Sequence, residues 1–117
     1  MSRTQPHESN AVTVTGRLSG TRVVTLPSGD ELVSFRVVVD RPPRDRGPSG
    51  RVTVDAVECT AWRADVRRRV QSLPEGTLVT VTGSLRRRFW RSSGAPASRL
   101  DVEVATLRRA EGAALSR

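Results

Sequence analysis

Apolar and polar side chains alternate with a period of two along most of this chain, and that alternation marks out its strands. In the stretch 77–90, TLVTVTGSLRRRFW, Val79, Val81 and Leu85 alternate with Thr80, Thr82 and Ser84. Such a period places one set on a core and the other on a solvent face. The stretch 10–18, NAVTVTGRL, does the same, with Val12, Val14 and Leu18 opposed to Thr13, Thr15 and Arg17. VTVTGRL at 12–18 and VTVTGSL at 79–85 form an internal repeat with a glycine at the same place, Gly16 and Gly83. A glycine inside a strand marks a bulge or sharp bend. Both strands are therefore read as bending round one small barrel, with chance similarity of β-favouring runs as the alternative.

The remaining elements follow from the same pattern. In 31–40, ELVSFRVVVD, residues Val33, Phe35, Val37 and Val39 point to a core and Arg36 points away. In 52–62, Val57, Cys59 and Ala61 share a face with Asp55, while Ala56, Glu58, Thr60 and Trp62 share the other. A last strand covers 100–107, with Leu100, Val102 and Val104 on one face. The period changes once, in 65–73, DVRRRVQSL, where Val66, Val70 and Leu73 fall at helical spacing and Arg67, Arg68 and Arg69 face solvent. Pro74-Glu75-Gly76 stops that helix. Residues 19–30 read as a connection with a short extended piece at 22–26, closed by a Pro27-Ser28-Gly29-Asp30 turn. The Pro- and Gly-rich run 41–51 reads as a mobile loop, and 91–98 as a flexible loop tip.

Three strands, a helix and two strands in this order match the five-stranded Greek-key barrel known as the OB-fold. The expected fold class is thus all-β with one short helix. At 117 residues there is room for one core. The domain is expected at 10–107, between a disordered tail at 1–9 and a short tail at 108–117.

Charge then points to a partner. The formal net charge is +8, the pI is about 11.6, and all 20 basic residues are Arg. A polyanionic ligand fits that balance, and the guanidinium both bonds phosphate bidentately and stacks on bases. Genome composition is the alternative source of an arginine-only alphabet; the surface chemistry is the same. Between Glu75 and Asp101 lie five arginines and no acid. If the strand at 77–90 runs on, Arg86, Arg88 and Trp90 share the face of Thr82 and Ser84. A basic arm with an interleaved aromatic suits a single-stranded nucleic acid.

Composition removes other classes. Cys59 is the only cysteine and His7 the only histidine, which leaves little for a disulfide, a metal site or His-based catalysis. Cys59 reads as a small core residue. No nucleophile motif or phosphate-binding glycine loop is present, so neither enzyme activity nor a cofactor is expected. No apolar run reaches membrane-spanning length and no secretory leader is evident; a cytoplasmic, nucleoid-associated protein is expected.

The runs NAVTVTGRL, LPSGDELVSFRVVVDRP, VECTAWR and LPEGTLVTVTGSLRRRFW, in this order over Asn10–Leu107, resemble the bacterial single-stranded DNA-binding protein family. The resemblance implies an OB-fold that assembles as a homotetramer, less often a dimer, and binds single-stranded DNA without sequence preference or catalysis. It implies roles in replication, recombination or repair, and stacking aromatics at Trp62 and Trp90. Two other aromatic positions of the family are occupied here by Ala56 and by Pro43 and Arg44, and a usual basic position by Val24. The family's acidic C-terminal tip is not seen at Leu115-Ser116-Arg117, so recruitment of repair enzymes through such a tip is not expected.

The expected DNA-binding set is Arg17, Arg36, Arg51, Trp62, Arg86, Arg87, Arg88, Trp90 and Arg91. Single-stranded DNA is the expected ligand, although stacking and phosphate contacts would serve RNA equally. A second reading is an OB-fold paralogue that acts mainly in protein contacts; Ala56 favours it and the two tryptophans oppose it.

Overall fold

The computed structural model describes residues 7–110. Residues 1–6 and 111–117 of the two expected tails, with the Leu115-Ser116-Arg117 end, lie outside the described residues.

Period-two patterning produces five strands, β1 (Val12–Thr25), β2 (Glu31–Asp40), β3 (Val54–Ala61), β4 (Leu78–Ser92) and β5 (Ala95–Arg109). They close a barrel in the order β1-β2-β3-β5-β4, antiparallel throughout except for β3 against β5. One short helix, α1 (Ala64–Ser72), lies between β3 and β4. This is the OB-fold expected from the order of elements.

Most of the predicted inward set is buried, while Val12, Val14 and Val39 are only partly so. Leu18, Val33, Phe35, Val37, Cys59, Ala61, Val79, Val81, Val102 and Val104 are buried, with Leu107 beside them. Val66 and Val70 of α1 join the same cluster, and α1 packs on β5 and β2. A helix of nine residues is marginal alone; burying those valines, at roughly 1.5–3 kcal/mol each, holds it in place.

The internal repeat has a structural meaning. Val12–Gly16 and Val79–Gly83 pair with each other antiparallel, Val14 opposite Val81 at the centre. Their threonines face outward together, and Thr15 Oγ1 lies 2.9 Å from Thr80 Oγ1. The two glycines exist for close approach. A Cβ at Gly16 would fall 2.3 Å from the Val38 carbonyl oxygen, and one at Gly83 would fall 2.1 Å from that of Glu103.

Several local expectations are corrected. β1 does not stop at Leu18: it continues to Thr25 through an irregularity between Ser19 and Arg22. Glu75 supports that bend by accepting bonds from Ser19 Oγ and the Gly20 amide. The run 41–51 is not an unstructured loop. It holds a 3-10 turn at Pro43–Asp45, tied down by Arg41, which donates to Asp55 and to the Asp45 carbonyl. Arg67 is not simply solvated, because its guanidinium donates to the carbonyls of Trp62 and Glu31.

The largest correction concerns 91–98. β4 and β5 run on as one long ladder to the pair Ser92 and Ala95. They are joined by Ser93 and Gly94, with φ of 53° and 80°, the signature of a two-residue hairpin turn with both centres left-handed. β5 also passes Leu107, pairing Arg108 and Arg109 with Thr80 and Val79. Leu85, read as a core residue, is exposed. Beyond Gly83, β4 pairs only with β5, and the inward face of the barrel becomes one open face of the projecting arm.

Candidate nucleic-acid interface

The arm brings its side chains out in two rows. Residues opposite one another in an antiparallel ladder share a face. One row therefore holds Arg86, Arg88 and Trp90 on β4 with Asp101, Arg99 and Ala97 on β5. The other holds Leu85, Arg87, Phe89 and Arg91 with Val102, Leu100, Ser98 and Pro96.

The first row continues onto the outer surface of the barrel. Trp62, at the end of β3, is half-buried there, and the Arg88 guanidinium carbon stands 5.4 Å from its ring centroid. That distance is within reach of a cation–π contact. Trp90, two residues beyond Arg88 on the same face, is 46% exposed. The strand at 77–90 thus delivers Arg86, Arg88 and Trp90 to one surface as its alternation predicts, and Trp62 lies on that surface too.

Electrostatically this row is not the acid-free arm that the sequence suggests. β5 returns Asp101 and Glu103 alongside it. Arg86 Nε lies 3.2 Å from Glu103, and Arg88 Nε donates to both oxygens of Asp101 at 2.9 and 3.1 Å. Arg99 sits within 3.9 Å of Glu58. Arg17 is likewise bound, to Asp40 across 3.1 Å. Exposed pairs of this kind contribute little and open readily; the Arg88 pair is different, because Asp101 is buried.

The other expected arginines meet no carboxylate among the described residues. Arg87 donates to Ser98 Oγ at 3.2 Å and Arg91 to the Gly94 carbonyl at 3.4 Å. Arg36 stands on the outer face of β2, opposite Glu58 of β3 and Ser19 of β1, half-buried against Gly20. Arg51 is exposed in the segment before β3, away from the arm in sequence. The candidate set is thus split: Arg86, Arg88, Trp90 and Trp62 are brought onto one surface, Arg87 and Arg91 project from the opposite face of the arm, and Arg17, Arg36 and Arg51 belong to the β1, β2 and pre-β3 side.

Ala56 is exposed on the outer face of β3. Pro43 opens the 3-10 turn, so the first of the two replaced aromatic positions leaves a bare strand and the second a rigid turn.

Sequence reading missed two residues. Phe89 is 75% exposed and Leu100 is 49% exposed, both on the Arg87–Arg91 face of the arm. Phe89 sits between two arginines, and the signal for it was present in RRRFWR; treating the arm as a one-faced strand hid it. Leu100 shares a face with Val102 and Val104 by alternation, but it is not buried with them.

Among the described residues there is no cluster of His, Cys, Asp and Glu suited to a metal ion. Burial pushes the Cys59 thiol up to about 12, with the charges of Asp101 and Glu58 adding to the effect. A thiol so held is a core side chain and not a nucleophile.

A model of the family described as "Single-strand binding protein family" matches residues 9–110. Among solved structures, the Plasmodium falciparum SSB complex with ssDNA is similar in fold. Its TM-score is 0.72 at 19% sequence identity, covering 92% of this chain and 99% of that one. No curated protein sequence matches.

Proposed function

This chain belongs to the single-strand binding protein family, and from that membership we propose that it binds single-stranded DNA without sequence preference. The observation that carries the reading is the shared surface of Trp62 and Trp90, with the Arg88 guanidinium against the first ring. Two indoles on one face accept bases by stacking, which any base supplies, and each stack is worth about 1–3 kcal/mol. Arg87, Arg91, Arg36 and Arg51, free of carboxylate partners among the described residues, are the phosphate contacts. Arg17 and Arg86 join them once a phosphate displaces Asp40 or Glu103. The role is binding and protection, and no reaction is assigned.

Assembly is part of the proposal. The start of β1, residues 12–16, pairs with β4 alone, and β2 joins only from Arg17 onward. An open strand edge of this kind invites pairing with a second copy, and a homotetramer, with a dimer second, is the expected state. RNA offers the same phosphates and π-faces, and the same contacts would serve it as an alternative ligand.

The test is fluorescence anisotropy of a labelled oligodeoxythymidine, a mixed-sequence strand and a duplex of equal length. Both single strands should bind alike and the duplex far more weakly. Equal binding to the duplex would reduce the protein to a nonspecific polycation.

A second reading, a module for protein contacts, is favoured by the acids that neutralise Arg86 and Arg88 and by the open Leu85, Phe89 and Leu100 face. It predicts that the parent protein binds all three nucleic acids only weakly.

A further inference from the structure

We propose that Asp101 is a positioning residue that fixes Arg88 as a cap on the Trp62 ring and withdraws that guanidinium from the phosphates. The proposal rests on the single-stranded DNA reading above for its binding arm, and on the free protein for the rest.

Three strands meet at this point. β5 lies between β3 and β4 in the barrel, so an outward side chain on β5 can reach both neighbours at once. Asp101 does so. Its side chain is 0% exposed; Oδ2 accepts from Thr60 Oγ1 of β3 at 2.6 Å and from Arg88 Nε of β4 at 2.9 Å. Oδ1 accepts from the same Nε at 3.1 Å, and Arg99 Nη2 stands 4.0 Å from Oδ2. The carboxylate is thereby immobilised by a neutral hydroxyl and turned toward the guanidinium.

Held in this way, Arg88 lies with its central carbon 5.4 Å from the Trp62 centroid. Its Nη2 is buried with no partner among the described residues. The orientation is therefore set by Asp101 and the indole, and not by satisfying every donor of the guanidinium.

The consequence is electrostatic. The salt dependence of binding counts cations that neutralise phosphates and release counterions. A guanidinium already neutralised by a buried carboxylate releases none. Arg88 then acts through Trp62, by fixing the ring and covering part of its surface before any base arrives. Arg87 and Arg91, four residues apart on the other face, carry the salt dependence of the arm, with Arg86 joining once it leaves Glu103.

Two readouts separate this from a merely structural pair. One is Trp62 emission without DNA, measured in the Trp90→Phe background so that a single indole reports. The other is the slope of log affinity against log salt for oligodeoxythymidine, measured with both tryptophans present. Asp101→Asn frees Arg88 for a phosphate, so the slope should steepen by about 0.7 and the emission should change. Arg88→Gln should change the emission and leave the slope as in the parent, whereas Arg87→Ala should flatten it by about 0.7. The paired variant Arg88→Met with Asp101→Leu leaves no buried charge unpartnered. It decides the matter if either single variant fails to fold, and it should behave like Arg88→Gln.

A slope flattened by Arg88→Gln or by the paired variant as much as by Arg87→Ala would overturn the proposal. Unchanged emission in both would do the same. If the parent protein does not bind the oligomer at all, the functional reading falls, and the emission measurement still judges the role of Asp101.

Discussion

The two tryptophans are predicted to answer truncation differently, although both face the same surface. Trp90 stands on the projecting arm and is 46% exposed, so Trp90→Ala leaves no cavity. It should weaken oligonucleotide binding by about 1–3 kcal/mol at an unchanged melting temperature. Trp62 is half-buried, capped by Arg88, with its carbonyl held by Arg67. Trp62→Ala should lose comparable binding and lower the melting temperature as well. Calorimetry and anisotropy on the two variants check both statements, and equal melting points would show that the Trp62 environment contributes no packing. Phe89→Ala tests the residue that the alternation hid: binding to long strands should weaken while stability stays. Cys59 makes a separate prediction. Its thiol is pushed from an ordinary value of 9.0 up to about 12, so the unfolded chain releases that proton first. The stability it contributes is intact below pH 9 and is lost as the pH rises toward 12. Native protein at pH 8 should therefore resist alkylation that proceeds readily in denaturant.

At the scale of elements, the inward faces of β1 to β4 were legible because a period of two is a local property. Val33, Phe35 and Val37 needed no partner to declare themselves. The pairing of Val12–Gly16 with Val79–Gly83 was only half legible: the repeat was visible, but register is nonlocal. The same limit hid the acids of the arm. Asp101 and Glu103 follow Arg86 and Arg88 in sequence by more than a dozen residues, and only the hairpin through Ser93 and Gly94 brings them alongside. The run 91–98 was misread because Gly, Ser and Pro there signal turns, whereas cross-strand pairing with β4 overrides them on both sides of a two-residue turn. Position in the fold also explains Leu85 and Leu100: the alternation says which face they occupy, but not that this face has left the barrel. Gly16 and Gly83 yield the prediction for this scale. Alanine at either places a Cβ within 2.3 Å or less of a neighbouring carbonyl oxygen, so each should destabilise the barrel by about 1–3 kcal/mol, read from denaturant midpoints. A neutral Gly83→Ala would mean that β5 yields there at no cost.

For the whole molecule, the net charge of +8 overstates what a ligand meets, since internal pairs hold Arg17, Arg41, Arg63, Arg86 and Arg88. Binding should weaken with salt, but by less than the arginine content suggests. The open start of β1 adds an expectation for assembly: light scattering at micromolar concentration should give the mass of a tetramer or a dimer, and a monomeric mass would remove the edge-pairing proposal. The central claim is that Trp62 and Trp90 jointly stack on the bases of single-stranded DNA. Its most direct test is titration of the single-tryptophan variants Trp62→Phe and Trp90→Phe with oligodeoxythymidine, following intrinsic emission. With no tyrosine in the chain, each variant reports one indole. Saturable quenching in both, at midpoints that coincide with binding by anisotropy, is the predicted result. Binding with neither indole quenched would contradict the account.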